Sequence, residues 1–220
     1  MIYKLVIFDL DGTILNTIED LTDSTNYSLE KNKFPKRSIE EIRSFVGNGI
    51  AKLINKAVPA GTSQDKIVQV LSDFTTHYAS HCTIKTRPYD GVLELVNKLK
   101  ELGILTAVVS NKADFAVQEL CKQYFPNMFN FVLGERENIH RKPAPDGVLE
   151  VLDKLHIDNT SAIYIGDSEV DIQTAKNTCI DIISVSWGFR DRNELIAQGA
   201  TIVVDTPMEI LQIVYHEGRK

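Results

Sequence analysis

The feature that most constrains this chain is a rhythm of short, wholly apolar runs separated by stretches with helical spacing. Leu5-Val6-Ile7-Phe8, residues 104–109, Phe131-Val132-Leu133, residues 162–165, residues 182–185 and Ile202-Val203-Val204 each read as a strand covered on both faces. Between them, Val92, Leu95, Val96, Leu99 and Leu102 fall on one helical face ahead of Gly103, which suits a C-cap. Val148, Leu149, Leu152 and Leu155 repeat that pattern after Pro145, and Asp167-Ser168 opens a third helix running to about Thr178. Strands alternating with helices predict an α/β protein built on a doubly wound parallel sheet, a Rossmann-like core.

One interval breaks the rhythm. Roughly a hundred residues separate the first strand from the second, where a simple crossover needs about a dozen. Within the interval, Ile39, Ile42 and Phe45, then Ile50, Leu53 and Ile54, then Ile67, Val70, Leu71 and Phe74 keep helical spacing, and no strand is evident. The spacing predicts an all-α cap over residues 17–82, inserted into a core of residues 1–16 and 83–220. Its hinges are expected near Leu15-Asn16 and residues 83–88.

Composition narrows the partners. Apolar residues make up 43% of the 220 and charged residues 25%, as in a folded globular chain. The net charge of −6 argues against nucleic acid as a partner, because phosphate backbones attract basic faces. An anionic small molecule must then be drawn by a local positive site. Cys82, Cys121 and Cys179 are odd in number and far apart, which fits a reducing compartment rather than a disulfide framework. No apolar run approaches the roughly 18 residues of a membrane span, and the first residues carry no signal-peptide pattern. The expectation is a cytoplasmic monomer or homodimer with no membrane partner.

Four short polar segments each follow an apolar strand, and ligands of open α/β sheets bind at the carboxyl ends of strands. In Asp9-Leu10-Asp11-Gly12-Thr13 an extended backbone places both carboxylates on one side. Two carboxylates in one crevice are costly unless a cation lies between them or one holds a proton. Ser110-Asn111-Lys112 reads as the start of a helix, where a hydroxyl and free amides cradle phosphate and Ser110 doubles as N-cap. Lys112 reads there as a solvated helix residue. In Arg141-Lys142-Pro143, Lys142 offers a point charge for a phosphoryl oxygen and a means of holding Asp9 ionised. Gly166-Asp167-Ser168-Glu169-Val170-Asp171 supplies further carboxylates. Asp171 alone would pass for a surface helical charge, and Trp187 for a packing residue bordering the site.

In this order, D-L-D-G-T, S-N-K, K-P and G-D-S-x-x-D resemble the haloacid dehalogenase-like hydrolase superfamily over the core, from Asp9 to about Asp171. The resemblance implies that Asp9 is a nucleophile forming an aspartyl-phosphate and that Asp11 is the general acid/base. It implies phosphate binding by Ser110, Asn111 and Lys142, and Mg²⁺ held by Asp9, the main-chain carbonyl of Asp11 and Asp167, with Asp171 in support. Asp11 excludes a true dehalogenase, which needs no such acid. The reaction implied is hydrolysis of a small phosphate monoester by a Mg²⁺-dependent phosphatase.

For the substrate, residues 45–50 are similar to those of phosphoglycolate phosphatases, as are Leu15, Thr17, Asp20-Leu21, Asn26 and the run from Gly166 to Thr178. Gly47, Asn48 and Gly49 bracket a turn before a helix, whose amide-rich start suits a substrate carboxylate. The expectation is 2-phosphoglycolate. A pyrophosphatase, a nucleotide or sugar phosphatase or a β-phosphoglucomutase of the same fold stands as the alternative, although the mutase would carry a histidine near Asp20. A degenerate phosphate-binding module is the non-enzymatic alternative, and the intact acidic set weighs against it.

Overall fold

The chain enters its fold through β1 (Leu5–Phe8) and then β2 (Leu15–Asn16). Four helices follow, α1 (Ile18–Lys31), α2 (Ile39–Phe45), α3 (Ile50–Ala57) and α4 (Gln64–His81). After β3 (Arg87–Pro88) come α5 (Val92–Glu101), β4 (Leu105–Ala113), α6 (Asp114–Tyr124), β5 (Phe131–Glu135) and α7 (Asp146–Leu155). The last elements are β6 (Ala162–Gly166), α8 (Glu169–Thr178), β7 (Asp181–Val185), α9 (Arg192–Ala197), β8 (Val203–Val204) and α10 (Pro207–Val214). The structure, a computed structural model, describes residues 3–215. Among them one compact unit takes in the chain up to Leu15 and from Pro88 onward, and a second is Asn16–Arg87.

In the first unit six strands pair in parallel in the order β5-β4-β1-β6-β7-β8. Counting only these six, the order is 3-2-1-4-5-6, the doubly wound arrangement whose crevice opens where the order reverses beside the first strand. The predicted α/β fold is therefore the one observed. Alternating side chains serve opposite faces of the sheet. Leu5, Ile7, Ala107, Val109 and Tyr164 pack with Val148 and Val151 of α7 and Ala175 of α8. Val6, Phe8, Val108, Ile163 and Ile165 pack with Val96, Leu120 and Ile210 of α5, α6 and α10. Withdrawing each Val, Leu, Ile or Phe among these side chains from water contributes about 1.5–3 kcal/mol, so both layers press on β1.

One expectation about local structure fails. Ser110-Asn111-Lys112 does not open a helix; it lies inside β4, and α6 begins only at Asp114. Ser110 is accordingly not an N-cap. Beyond Val109 the ladder to β5 shifts register, with Val109 opposite Leu133 and Ala113 opposite Glu135. Four steps on β4 thus meet two on β5, and the surplus residues bulge. Gly134 permits this close passage, because a Cβ there would lie 2.7 Å from Lys112 O and 2.5 Å from Asp114 Cα.

The second unit is helical. Ser38 and Glu41 form a capping box that starts α2, and Ile42, Leu53, Ile54, Val70 and Phe74 are buried. Asp73 of α4 gathers Lys31, Asn32 and Gln69 at 2.8, 2.8 and 3.3 Å. Asp20 is buried and accepts the amides of Lys85 and Thr86 at 3.0 and 2.8 Å, tying the end of the unit to α1. The cysteines are free, and among the described residues no helix is long and apolar enough to cross a membrane.

Candidate active site

Asp9 follows β1 directly, and its amide donates to Ile165 O of β6 at 2.9 Å. Asp167 follows β6, and Asp171 lies in the first turn of α8. Neighbouring parallel strands ending at one level thus bring residues 9, 167 and 171 together. One carboxylate oxygen from each lies within 4.8 Å of the others, and the residues are only 8, 2 and 0% exposed.

Lys142 is buried against this trio, its Nζ 2.9 Å from Asp9 and 2.7 Å from Asp171. It also meets Tyr164 Oη at 2.9 Å, and that hydroxyl donates to Val109 O at 2.9 Å. Burial alone would push the Lys142 ammonium toward neutrality, but Asp171 and Asp9 hold its pKa well above the usual lysine value. Asp171 further accepts the amide and hydroxyl of Ser168 at 3.1 and 2.7 Å, so it caps α8 while pairing with Lys142. It is no surface charge.

One ammonium does not neutralise three carboxylates. Burial pushes Asp9 up to about 6, against the pull of Lys142 and helped by repulsion from Asp171 and Asp11. The expectation that Lys142 keeps Asp9 ionised is met in direction only, because desolvation outweighs it. Burial, then Asp171 and Asp9, also raise Asp167 well above the carboxylate range, although the Phe189 amide donates to it at 2.7 Å. Glycines leave the room: a Cβ on Gly12 would lie 2.2 Å from Asp167 Oδ2, and one on Gly166 2.3 Å from Asp171 Cβ. An all-oxygen donor set with surplus negative charge fits a hard divalent cation.

The other expected residues divide. Ser110 is buried on the β4 bulge, where its Oγ accepts the Lys112 amide at 3.3 Å. Asn111 donates to Lys142 O at 2.9 Å and so fixes the backbone that carries the ammonium. Asp11 stands apart from the trio, with Lys112 Nζ 2.9 and 3.1 Å from its two oxygens. Lys112 is thus a buried member of the site, not a solvated helix residue. The available signal was its place at the carboxyl edge of the sheet, which the helical reading discarded. Trp187 donates to Thr13 O at 3.0 Å and packs on the core edge, and Thr13 Oγ1 donates to Asp167 at 3.3 Å. Gly47, Asn48 and Gly49 lie in the helical unit, in the turn from α2 to α3, with Gly47 and Gly49 at positive φ.

Among known proteins, the haloacid dehalogenase-like hydrolase family matches residues 6–185. The chain is 32% identical over 193 residues to the phosphoglycolate phosphatase of Mesorhizobium japonicum, spanning 86% of this chain and 85% of that one. It is 26% identical over 213 residues to the N-acetylmuramic acid 6-phosphate phosphatase of Pseudomonas aeruginosa, with 96% and 94% covered. A solved structure of a candidate phosphoglycolate phosphatase from Lactobacillus delbrueckii subsp. bulgaricus matches with a TM-score of 0.94 at 39% identity, over 99% of this chain and 100% of that one.

Proposed function

This chain belongs to the haloacid dehalogenase-like hydrolase family, and from that premise we propose that it is a Mg²⁺-dependent phosphatase acting on small phosphate monoesters through a phosphoaspartate on Asp9. The observation that carries the reading is the buried trio of Asp9, Asp167 and Asp171 with Lys142 against two of its members. A purely structural site pairs its buried charges; this one keeps a negative surplus, which suits a nucleophilic carboxylate beside a cation site.

In this reading an Asp9 oxygen attacks phosphorus, forming an acyl phosphate as the ester P–O bond breaks. Asp11 gives its proton to the leaving alcohol oxygen, then takes one from the water that attacks phosphorus in the second step. Inorganic phosphate leaves and the Asp9 carboxylate is restored. Lys142 and the Ser110 hydroxyl bind the phosphoryl oxygens, with Asn111 holding Lys142 in place. Asp9, Asp167 and the Asp11 carbonyl, with Asp171 in support, would hold Mg²⁺, which would supply neutralising charge to the phosphoryl oxygens. Asn16–Arg87 serves as the cap, and the turn at Gly47, Asn48 and Gly49 contacts the substrate's carboxylate.

The substrate we favour is 2-phosphoglycolate, supported by the names of several relatives, although one relative is named for a sugar phosphate. A panel of 2-phosphoglycolate, pyrophosphate, nucleoside monophosphates and sugar phosphates, assayed for phosphate release with Mg²⁺, tests both levels. Preference by kcat/KM for any ester other than 2-phosphoglycolate rejects the substrate. Absence of Mg²⁺-dependent release from every ester rejects the phosphatase, leaving a binding module.

A further inference from the structure

The second buried ammonium of the core unit has no role in the mechanism above. The Lys112 side chain is 3% exposed and that of Asp11 14%, and Nζ spans both carboxylate oxygens at 2.9 and 3.1 Å. A cation this buried is retained only where its geometry is well made. The two ammonium groups also divide the acids between them. Lys142 lies on Asp9 and Asp171, and Lys112 on Asp11.

The two partners come from different parts of the core unit. Asp11 sits on the turn after β1, beside Gly12 at φ 84°. Lys112 comes from the sheet itself, on a bulge pinned by its amide to Ser110 Oγ and by the close passage over Gly134. An ammonium straddling both oxygens fixes the plane of the carboxylate as well as its place.

We propose that Lys112 is the positioning residue for Asp11, holding that carboxyl group where, carrying its proton, it meets the leaving-group oxygen. This rests on the phosphatase reading above. Lys112 acts through Asp11 and does not touch the ester. Acid assistance is worth about 10²–10⁴-fold, and a displacement of roughly 1 Å can cost about 10²-fold. The dependence on leaving group then separates positioning from other roles, because p-nitrophenolate departs without a proton and a simple alkoxide does not.

The experiment compares kcat/KM of the wild type, Lys112→Met and Lys112→Arg on propyl phosphate and p-nitrophenyl phosphate. kcat/KM covers the steps up to alcohol release, so later water activation by Asp11 does not enter. Lys112→Met is expected to lose about 100-fold on propyl phosphate and less than about 3-fold on p-nitrophenyl phosphate, with Lys112→Arg recovering most of the loss. Equal losses on both esters, or a change confined to KM, overturn the proposal. So does a loss confined to esters with a carboxylated leaving group, which would make Lys112 a substrate contact. Should Lys112→Met fail to fold, Asp11→Asn/Lys112→Met replaces it and must match Asp11→Asn alone on propyl phosphate; a further loss overturns the proposal. A wild type inactive on every ester sinks the phosphatase reading itself, whereas an active wild type with indifferent Lys112 variants sinks only the positioning role.

Discussion

Asp9→Asn should stabilise the metal-free protein while abolishing turnover. Asp9 has its pKa raised from 3.8 to about 6, chiefly by burial. Between those values the folded state binds more protons than the unfolded one, so stability falls as pH rises through the window. Two units at about 1.4 kcal/mol each put the cost of the ionised carboxylate near 3 kcal/mol above pH 7. At pH 4 the same linkage leaves only about 0.5 kcal/mol. Asparagine keeps the shape without the charge, and at about 2–4 °C per kcal/mol the gain in Tm at pH 8 should be roughly 6–12 °C. Thermal unfolding of both proteins in EDTA from pH 4 to pH 8 measures it. Added Mg²⁺ should raise the wild-type Tm at pH 8 and narrow the gap, because a ligand of the folded state stabilises it. A variant that melts below wild type at pH 8 without metal, or a gain independent of pH, would refute the reasoning that burial and repulsion outweigh Lys142 at this carboxylate.

Gly12→Ala should destabilise by at least about 2 kcal/mol and weaken Mg²⁺ binding, since φ is 84° and the new Cβ would lie 2.2 Å from Asp167 Oδ2. Chemical denaturation and a Mg²⁺ titration followed by calorimetry read the two effects, and wild-type Mg²⁺ affinity would contradict the close approach. Asp20→Ala should cost roughly 2–5 kcal/mol by leaving the Lys85 and Thr86 amides without their carboxylate acceptor, and Asp20→Asn appreciably less. Equal urea midpoints for the two variants would show that those amides do not depend on the acceptor.

Much of the fold is legible in the sequence because a strand buried on both faces must be apolar throughout. Leu5 to Phe8 and Ala162 to Ile165 announce themselves for that reason, and the long interval after β1 marks where the helical segment enters. The candidate site is legible for a related reason: a polar segment that directly follows a buried strand sits at the sheet's carboxyl edge. Residues 9 and 167 could therefore be placed at one edge before any distance was known, whereas Ser110 lies inside β4 and Lys142 seven residues beyond the end of β5. Local pattern fails where one residue's environment comes from a distant partner. Ser110 to Lys112 look like a helix start, yet β5 and the missing side chain of Gly134 draw them into a bulged strand. Asp20 looks like one more acidic residue in a first helical turn, and it holds two amides more than sixty residues away.

What the sequence determined by itself is which residues are apolar, which are charged, and in what order they leave the strands. The tertiary structure alone decided how those charges are shared: Lys142 serves Asp9 and Asp171, Lys112 serves Asp11, and Asp167 accepts the Thr13 hydroxyl and the Phe189 amide. The reason is physical. Chain order sets chemical type, but the energy of a charge depends on its burial and on neighbours a few ångströms away, and only the folded packing of β1, β4 and β6 fixes those.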